Sequence, residues 1–208
     1  MQIRDQKRRT NAALIVAGGS GSRAGLKSGR PKQYCFVGGE TVLQRTLRVF
    51  LSHPSVDRVL TVIRAGDEAF YEEAVAELPS AKLLAPVPGG ATRQLSVLAG
   101  LEALEPSAPA VVLIHDAARP FVEHECLSAT IAALASNDGA IAAAPVTDTL
   151  KRGENGRIVG TVSREGLWRA QTPQTFHYEK IFEAHRAAAR CGRTDFTDDA
   201  AIAEWFGL

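Results

Sequence analysis

The chain has 208 residues, of which 45% are hydrophobic and 23% are charged, so it has the size and ordinary composition of one large globular domain. Its 24 lysines and arginines nearly balance its 23 aspartates and glutamates, and the net charge of +1 excludes the strong positive field of a nucleic-acid or membrane-surface binder. The three cysteines lie far apart without a C-x-x-C pair, and no apolar run reaches the roughly 18 residues of a membrane span, so we expect a cytoplasmic protein without disulfides, structural zinc or a transmembrane segment.

The amino-terminal half alternates apolar runs with helical patterns, after a basic tail at residues 1–10. Residues 12–16 form an unbroken apolar run, which is typical of a strand covered on both faces of a sheet. A helix is predicted over residues 41–50, a strand over 59–63, and a second helix capped by Asp67. This order is typical of βαβ units built on a mostly parallel sheet, and it predicts an α/β domain over residues 11–208 with helices on both faces.

The middle of the chain continues this pattern with a second glycine turn. A short strand is predicted near Leu83-Leu84, and the turn at residues 86–90 leads into a helix with leucines at positions 98, 101 and 104. The next elements are, in order, a buried strand at residues 110–115, a helix at 123–136 and a strand at 140–144. We expect these strands to be parallel.

The pattern changes after Pro145. Residues 147–162 are polar around a Gly-Glu-Asn-Gly turn, which predicts a hairpin that projects from the core as a β-arm over about residues 147–164. Because a lone two-stranded arm is marginally stable, we expect it to be mobile or braced by a second subunit. The last elements are a strand at 167–170, a turn at Thr172-Pro173-Gln174, a helix at 178–190 and a helix from the N-cap Thr197 to Phe206.

The most informative motif is the glycine-rich stretch at residues 17–23, Ala-Gly-Gly-Ser-Gly-Ser-Arg, followed by Arg30-Pro31-Lys32. It follows a predicted strand, and its glycines let backbone N–H groups approach an anion closely. Arg23 and Lys32 supply positive charge that the amides alone would not provide. The stretch therefore predicts a phosphate site at the carboxyl edge of the sheet.

Three other interpretations fit the glycines less well. Gly19-x-Gly21-x-x-Ala24 matches the dinucleotide fingerprint, but residues 25–32 disfavour the helix that this motif needs, and the next strand ends in arginine rather than an acid. A nucleotide P-loop would need glycine where Leu26 stands. A surface loop that binds nothing would explain the glycines alone, without the two cations.

A second polar group follows the strand at residues 110–115. The carboxylate of Asp116 should reach the same edge as the glycine loop, where magnesium would bridge phosphates, with Arg119 nearby. The alternative is that Asp116 caps a turn. His115 ends a buried strand, so we expect a hydrogen-bonded core residue rather than a catalytic base.

The turn at Gly89-Gly90 precedes a helix whose first N–H groups are unsatisfied, so it could hold a base or a phosphate, although capping alone explains Thr92. No serine elbow, Ser/His/Asp set or H-E-x-x-H motif is present, which argues against hydrolase or metalloprotease chemistry. A phosphate monoester acting as nucleophile is largely ionised near neutral pH, with a second pKa of about 6, and needs no general base. Positioning and charge neutralisation would be enough.

The motifs follow one another over nearly the whole chain: residues 14–23, 31–34, Gly89-Gly90 with Arg93 and Ser96, 115–120, 144–146 with Asp148-Thr149, Arg164, 172–174 and Thr197-Asp198. Together they resemble the 2-C-methyl-D-erythritol 4-phosphate cytidylyltransferase family, and the elements at 115–120 and 172–174 make the resemblance specific. It implies a Rossmann-like nucleotidyltransferase fold and a homodimer with interlocking arms. The implied reaction joins CTP and methylerythritol phosphate and releases pyrophosphate, in isoprenoid precursor synthesis.

The resemblance also implies residue roles. Arg23 and Lys32 would stabilise the α-phosphate during transfer, and Arg164 is counted with them as catalytic. The residues implied to hold CTP are Ala17, Gly18, Gly19, Gly21, Gly89, Gly90, Arg93, Ser96, Asp116 and Ala117. Asp116 would also lie at the magnesium ion. The residues implied to hold the acceptor are Arg119, Thr149, Arg164, Thr172 and Thr197, with Thr149 and Arg164 coming from the arm of the other subunit.

The sequence departs from the family pattern at its end. The family continues past the position of Leu208 into a segment whose lysine helps to place the phosphates. Two alternatives stay open. The sequence is part of a longer protein, for example one fused to a second enzyme of the pathway, or the domain lacks this segment and turnover is in doubt. The rival functions are a transferase for another polyol phosphate such as ribitol phosphate, an NAD(P)-dependent oxidoreductase, and a non-catalytic nucleotide-binding domain.

Overall fold

A six-stranded sheet forms the centre of the computed structural model, which describes residues 10–19, 30–78 and 80–208. The strands are, in chain order, β1 (Asn11–Ala17), β2 (Phe36–Val37), β3 (Glu40–Thr41), β4 (Arg58–Ile63), β5 (Val87–Pro88), β6 (Val111–Asp116), β7 (Gly139–Pro145), β8 (Leu150–Glu154), β9 (Arg157–Val162) and β10 (Trp168–His177). The helices are α1 (Val42–Ser52), α2 (Glu68–Val75), α3 (Arg93–Leu104), α4 (His124–Ala133), α5 (Tyr178–Arg190) and α6 (Asp199–Phe206). None of the helices in the described ranges combines the length and the apolar character of a membrane span.

The central sheet has the strand order β5-β4-β1-β6-β10-β7 and is mostly parallel, as predicted. β1 is parallel to both β4 and β6, and β5 is parallel to β4, whereas β10 is antiparallel to its neighbours β6 and β7. In this register Val16 of β1 lies beside Val62 of β4 and Asp116 of β6. The carboxyl ends of these three strands are therefore level at one edge of the sheet.

Helices cover both faces of the sheet, so the predicted fold class is confirmed. Alternate residues of β1 point to opposite sides. Ala13 and Ile15 pack in a core with α1, α2 and α4, while Ala12 and Leu14 pack in a second core with α3, α5 and α6. Each buried leucine or phenylalanine side chain contributes roughly 1.5–3 kcal/mol. This double burial explains why residues 12–16 are apolar without alternation.

The predicted β-arm is present as a hairpin that makes a sheet of its own. β8 pairs antiparallel with β9, and neither strand joins the central sheet. The turn between them places Asn155 and Gly156 at φ values of 47° and 77°, a left-handed conformation that these two residue types adopt most readily. Ile158 and Val159 on the arm are 70% and 52% exposed. The chain itself therefore leaves apolar surface of the arm uncovered.

The most carboxyl-terminal strand differs from its prediction. Thr172-Pro173-Gln174 is not a turn but part of β10, which continues from Trp168 to His177. Proline, which lacks an N–H group, is tolerated in a strand where the ladder is irregular. The pairing of β10 with β7 shifts register between Ala170 and Gln174, and Pro173 lies inside that interval. β10 lies between β6 and β7 and is antiparallel to both, so the predicted strands at 110–115 and 140–144 are parallel to each other, as expected, without being neighbours.

Three smaller predictions are also corrected. Leu83 makes only an isolated bridge to Val59, and the strand beside β4 is β5 instead, within the predicted turn. Helix α4 is shorter than the predicted range 123–136. The N-cap of α6 is Asp198 rather than Thr197, because the Asp198 side chain accepts the N–H of Ala201 at 2.9 Å.

Candidate active site

A cavity of about 850 Å³ lies at the edge of the sheet where β1, β4 and β6 end. Its lining consists of residues 16–19, 32–33, 64–65, 89–93, Ser96 and 116–119. The glycine loop, Lys32, the Gly89-Gly90 turn and Asp116 therefore meet in one space, although they are far apart in sequence. Arg23 and Gly21, which the resemblance also assigns to this site, lie outside the described residues.

Gln33 connects the glycine loop to the turn that carries Lys32. Its side-chain amide donates to the carbonyl oxygens of Ala17 at 2.6 Å and Gly19 at 3.1 Å. Gln33 is buried, while Lys32, next to it on the same 3₁₀ turn, is exposed at the cavity. The Gln33 amide thus fixes the distance between the backbone of the glycine loop and Lys32. Both parts line the same cavity, so they can contact one ligand.

The Gly89-Gly90 turn packs closely against the start of α3. A Cβ atom on Gly90 would come within 2.5 Å of Leu95 Cβ, so only glycine fits there, and one on Gly89 would come within 2.7 Å of Ser96 Oγ, which would have to move. Thr92 caps the helix by accepting the N–H of Leu95 at 3.2 Å, as predicted. The buried Ser96 hydroxyl donates to the carbonyl of Thr92 at 2.8 Å and accepts the N–H of Gly90 at 3.2 Å. The positive end of the α3 dipole is thereby held at the cavity.

Asp116 is held between two arginines. Arg93 Nε donates to its Oδ1 at 3.2 Å, and Arg119 Nε donates to its Oδ2 at 3.1 Å. Arg119 also donates to the side chain of Gln171. With Lys32 and Arg64, these arginines make the described lining predominantly basic around a single acid. The field in the cavity therefore favours a polyanion, which gains charge-assisted hydrogen bonds there.

His115 is a hydrogen-bonded core residue, as the sequence led us to expect. Its Nε2 lies 3.0 Å from the carbonyl oxygen of Arg119, and its Nδ1 lies 3.0 Å from Thr172 Oγ1. The Thr172 hydroxyl accepts the N–H of Asp116 at 3.2 Å, so it is free to donate to Nδ1. Burial lowers the pKa of His115 to about 4, which keeps the imidazole neutral with its proton on Nε2. Both nitrogens are used, so His115 is not a candidate base.

The remaining predicted residues lie outside the cavity lining. Thr172 is buried beside His115, Thr197 is exposed just before α6, and Thr149 and Arg164 are exposed at the base of the arm. Arg164 donates to the carbonyl oxygen of Thr147 in the same arm. Within one chain, the structure thus brings together the described residues implied to hold the nucleotide, but of those implied to hold the acceptor only Arg119 lines the cavity.

The donor set fits a magnesium ion that is bound mainly by its ligand. No cluster of three or more His, Cys, Asp or Glu side chains suited to a metal occurs in the described part of the chain. Mg²⁺ is commonly held by one or two carboxylates together with substrate phosphates. Asp116, whose side chain is 32% exposed at the cavity, could supply one such carboxylate.

Sequence reasoning missed three contributions to this site. Gln33 appeared only as part of a motif and Arg64 only as the end of a strand. Asp199, whose carboxylate lies 2.8 Å from Arg93, appeared only as part of the predicted last helix. The arginine at the end of β4 was visible as a cation at the right sheet edge, so the strand-end argument could have found it. The partners of Gln33 and Asp199 depend on contacts between distant segments, which no local pattern indicates.

The fold and the cavity together define an α/β domain of the Rossmann-like class, with its cavity at the carboxyl ends of the strands. The protein-family profile described as IspD, 2-C-methyl-D-erythritol 4-phosphate cytidylyltransferase, matches residues 11–208. The chain therefore belongs to the IspD family, which confirms the resemblance seen in the sequence.

Individual relatives agree with this assignment. The bifunctional enzyme IspD/IspF of Bradyrhizobium sp. (strain ORS 278) is 54% identical over 198 residues, which are 95% of this chain and 49% of that protein. The protein of the same name from Agrobacterium fabrum is 52% identical over 197 residues, 94% of this chain and 49% of its own length. The chain thus spans about half the length of these curated relatives.

Solved structures give the same result. A crystal structure of 4-diphosphocytidyl-2C-methyl-D-erythritol synthase has a TM-score of 0.79 and 35% identity, covering 97% of this chain and 86% of that one. The 2-C-methyl-D-erythritol 4-phosphate cytidylyltransferase of Thermus thermophilus has a TM-score of 0.73 and 33% identity, covering 96% of this chain and 85% of that one. Nothing in these comparisons supports an oxidoreductase or a transferase for another polyol phosphate.

Proposed function

We propose that this domain transfers the cytidylyl group of CTP to 2-C-methyl-D-erythritol 4-phosphate and releases pyrophosphate. The observation that supports this most is the cavity itself. It joins the glycine loop, Lys32 and the Arg93-Asp116-Arg119 group at one sheet edge, in a chain of the IspD family. The product would serve isoprenoid precursor synthesis, the pathway that the family resemblance implies.

The reaction is an in-line displacement at the α-phosphorus of CTP. A phosphate oxygen of the acceptor forms the new P–O bond while the bond from the α-phosphorus to the bridging oxygen of pyrophosphate breaks. The acceptor phosphate is mostly ionised near neutral pH because its second pKa is about 6, so no proton has to be removed. This agrees with a described cavity lining that contains no histidine, and with His115, next to Asp116 in the chain, having both ring nitrogens occupied.

Lys32, and Arg23 by resemblance, would neutralise the charge that builds on the α-phosphate in the transition state. Preorganised charges of this kind are worth several kcal/mol because they need no reorganisation during the reaction. Gln33 holds the lysine turn against the glycine loop, so the lysine is positioned before the nucleotide arrives. A magnesium ion, held in part by Asp116, would supply further neutralisation of the triphosphate.

The acceptor would be bound across a dimer interface. Thr149 and Arg164 are outside the cavity lining of their own chain, and the arm that carries them exposes Ile158 and Val159. A two-stranded arm with exposed apolar residues gains stability when a second subunit covers it. In the proposed homodimer the arm of each subunit brings Thr149 and Arg164 to the cavity of the other.

The names of the curated relatives support a further proposal about the whole protein. Each is a bifunctional enzyme of about twice this length. We propose that this domain likewise works together with a second enzyme of the pathway. We also propose that it acts in the cytoplasm, because both of its proposed substrates are small soluble molecules.

Pyrophosphate release tests the proposed reaction. The 208-residue chain is supplied with CTP, magnesium and one acceptor, either methylerythritol phosphate or ribitol phosphate. We expect release only with methylerythritol phosphate. Release with ribitol phosphate alone would assign the sibling activity, and stabilisation against heat by NAD(P) but not by CTP would favour the oxidoreductase. Binding of CTP without turnover would leave a nucleotide-binding domain.

A further inference from the structure

Arg93 is bound on two sides, and only one of them faces the cavity. Its Nε contacts Asp116, while a second nitrogen of the same guanidinium, Nη2, lies 2.8 Å from Oδ2 of Asp199. Asp199 is the first residue of α6 and is fully buried. The guanidinium therefore bridges one carboxylate at the cavity and one behind it. The reaction proposed above makes no use of the second carboxylate.

The Asp199 carboxylate is ionised and supported from behind by His185 of α5. Nε2 of His185 lies 3.2 Å from Oδ1 of Asp199, and both side chains are fully buried. Burial alone would raise the pKa of Asp199, but the hydrogen bond from His185 and the charge of Arg93 outweigh it, so the pKa lies below its ordinary value. Burial likewise opposes the charge on Arg93, yet Asp199 and Asp116 raise its pKa above the usual range. The negative charge of Asp199 and the positive charge of Arg93 therefore stabilise each other.

The backbone around Asp199 is fixed by the sheet. Oε1 of Gln174, on β10, accepts the N–H groups of Asp199 and Ala200 at 3.0 Å each. Nε2 of the same side chain donates to Asp198 Oδ2 at 2.8 Å. Gln174 lies beside Ile114 of β6, two residues before Asp116. Asp199 is consequently held by β10, which pairs with β6, the strand that carries Asp116.

From this arrangement we propose that Asp199, supported by His185, is a positioning residue for the nucleotide site. The inference rests on the proposed function. Asp199 fixes the orientation of the Arg93 guanidinium, and Arg93 in turn fixes the Asp116 carboxylate and the start of α3. An arginine whose far side is free would explore more rotamers, and ordering it again would weaken nucleotide binding. Lysine cannot replace it, since an ammonium group lacks the planar fork that meets two carboxylates.

The test compares CTP affinity between two acids of one segment. Asp199→Asn keeps the shape of the side chain and removes its charge. Asp195→Asn is the matched control, because Asp195 also forms an Asp-Arg pair, with Arg193, but on the surface. Calorimetric titration with CTP and magnesium should give a Kd about tenfold higher for Asp199→Asn and unchanged for Asp195→Asn, a tenfold change being about 1.4 kcal/mol.

A double-mutant cycle separates positioning from a general loss of structure. Arg93→Lys should also raise the Kd for CTP, and adding Asp199→Asn to it should raise the Kd little further, because both changes break the same bridge. If Asp199→Asn does not fold, Arg93→Lys, whose side chain is partly exposed, keeps the inference falsifiable, because an unchanged Kd for CTP would show that the bridge between the two carboxylates does not affect nucleotide binding. A structural role alone would lower the fraction of active protein without changing the Kd.

Three results would overturn the inference. They are an unchanged CTP affinity in a folded Asp199→Asn variant, an unchanged affinity in Arg93→Lys, or fully additive effects in the double variant. Failure of the proposed function is recognised separately, because the unsubstituted chain would then bind no CTP or release no pyrophosphate. An unsubstituted chain that binds CTP while Asp199→Asn behaves like it refutes the positioning role alone.

Discussion

In the cavity, Gln33, Arg93 and Asp116 are each held by contacts to other segments of the chain, whereas in the β-arm Thr149 and Arg164 are exposed. The cavity residues lie at the ends of strands that are buried on both faces. The arm makes a two-stranded sheet of its own. One chain therefore preorganises the proposed nucleotide subsite but does not assemble the proposed acceptor subsite, which another subunit would complete in the proposed homodimer.

The largest effect should come from removing the cavity cation that faces the ligand. Lys32→Ala should lower kcat by at least about 100-fold, because one preorganised charge in such a transition state is worth about 3 kcal/mol. Pyrophosphate release measures the rate, and thermal unfolding checks that the fold is intact. Lys180→Ala is the matched control, since Lys180 pairs with Asp138 on the surface. Near-normal turnover in Lys32→Ala would remove the lysine from the proposed mechanism.

The second effect tests whether the arm serves another chain. Arg164→Ala should raise the KM for methylerythritol phosphate tenfold or more while leaving the Kd for CTP unchanged, because Arg164 lies outside the cavity of its own chain. At a methylerythritol phosphate concentration well below the KM of Arg164→Ala, the variants Lys32→Ala and Arg164→Ala, mixed and allowed to exchange subunits, should be more active than the average of the two measured separately. In a statistical mixture of dimers about one quarter of the sites would carry both wild-type residues.

Recovered activity in that mixture is the discriminating result. A mixture no more active than its separate components would mean that Lys32 and Arg164 act within one chain, or that the arm does not reach a partner. Val37→Asp, at a residue that is 49% exposed on the separate hairpin of β2 and β3, is a control for nonspecific effects of surface substitution.

A smaller effect concerns the connection inside the cavity. Gln33→Ala should weaken CTP binding about fivefold to tenfold, because two loop carbonyls lose a buried donor and a hydrogen bond of this kind is worth about 1 kcal/mol. Calorimetry with CTP measures it. Asn137→Ala is a suitable comparison, since its amide also donates to a main-chain carbonyl, that of Ala133 at 2.7 Å, but at an exposed position. Equal CTP affinities for the two variants would show that the glycine loop keeps its place without Gln33.

The smallest effect is a pH dependence of stability from His115. Its pKa is about 4 in the folded protein and 6.5 ordinarily, so the unfolded chain binds more protons between these values and stability falls as the pH is lowered through that window. The loss should be about 1 kcal/mol between about pH 6.5 and 5.5. Chemical denaturation of the wild type and of His115→Gln measures it. Burial also lowers the pKa of His53, so the difference between the two proteins, rather than either slope, reports His115. Parallel slopes would contradict the prediction.

The parts of the site that follow from strand ends could be predicted from the sequence. Residues 12–16 and 110–115 are apolar because both faces of their strands are covered, and this places Gly18 and Asp116 at one edge. The arm could be predicted as well, because Asn155-Gly156 within a polar stretch is a strong hairpin signal, and both residues have left-handed φ values.

Contacts between distant segments could not be predicted. Arg93 meets Asp199 only because β10 is inserted beside β6 and Gln174 holds the start of α6 there. The same insertion explains why the predicted turn at Thr172-Pro173-Gln174 was wrong. These residues have the composition of a turn, but the sheet includes them as an irregular part of β10. In both cases tertiary pairing outweighs local preference.

The close seating of α3 on the Gly89-Gly90 turn matters for anyone who wishes to engineer this domain. Replacing loop glycines by alanine is a common route to thermostability, since it restricts the unfolded chain. At Gly90 the added methyl group would come within 2.5 Å of Leu95 Cβ, so the usual benefit would become a penalty. Gly160 in β9 has no left-handed backbone, and an added methyl group there would meet no other atom of its own chain.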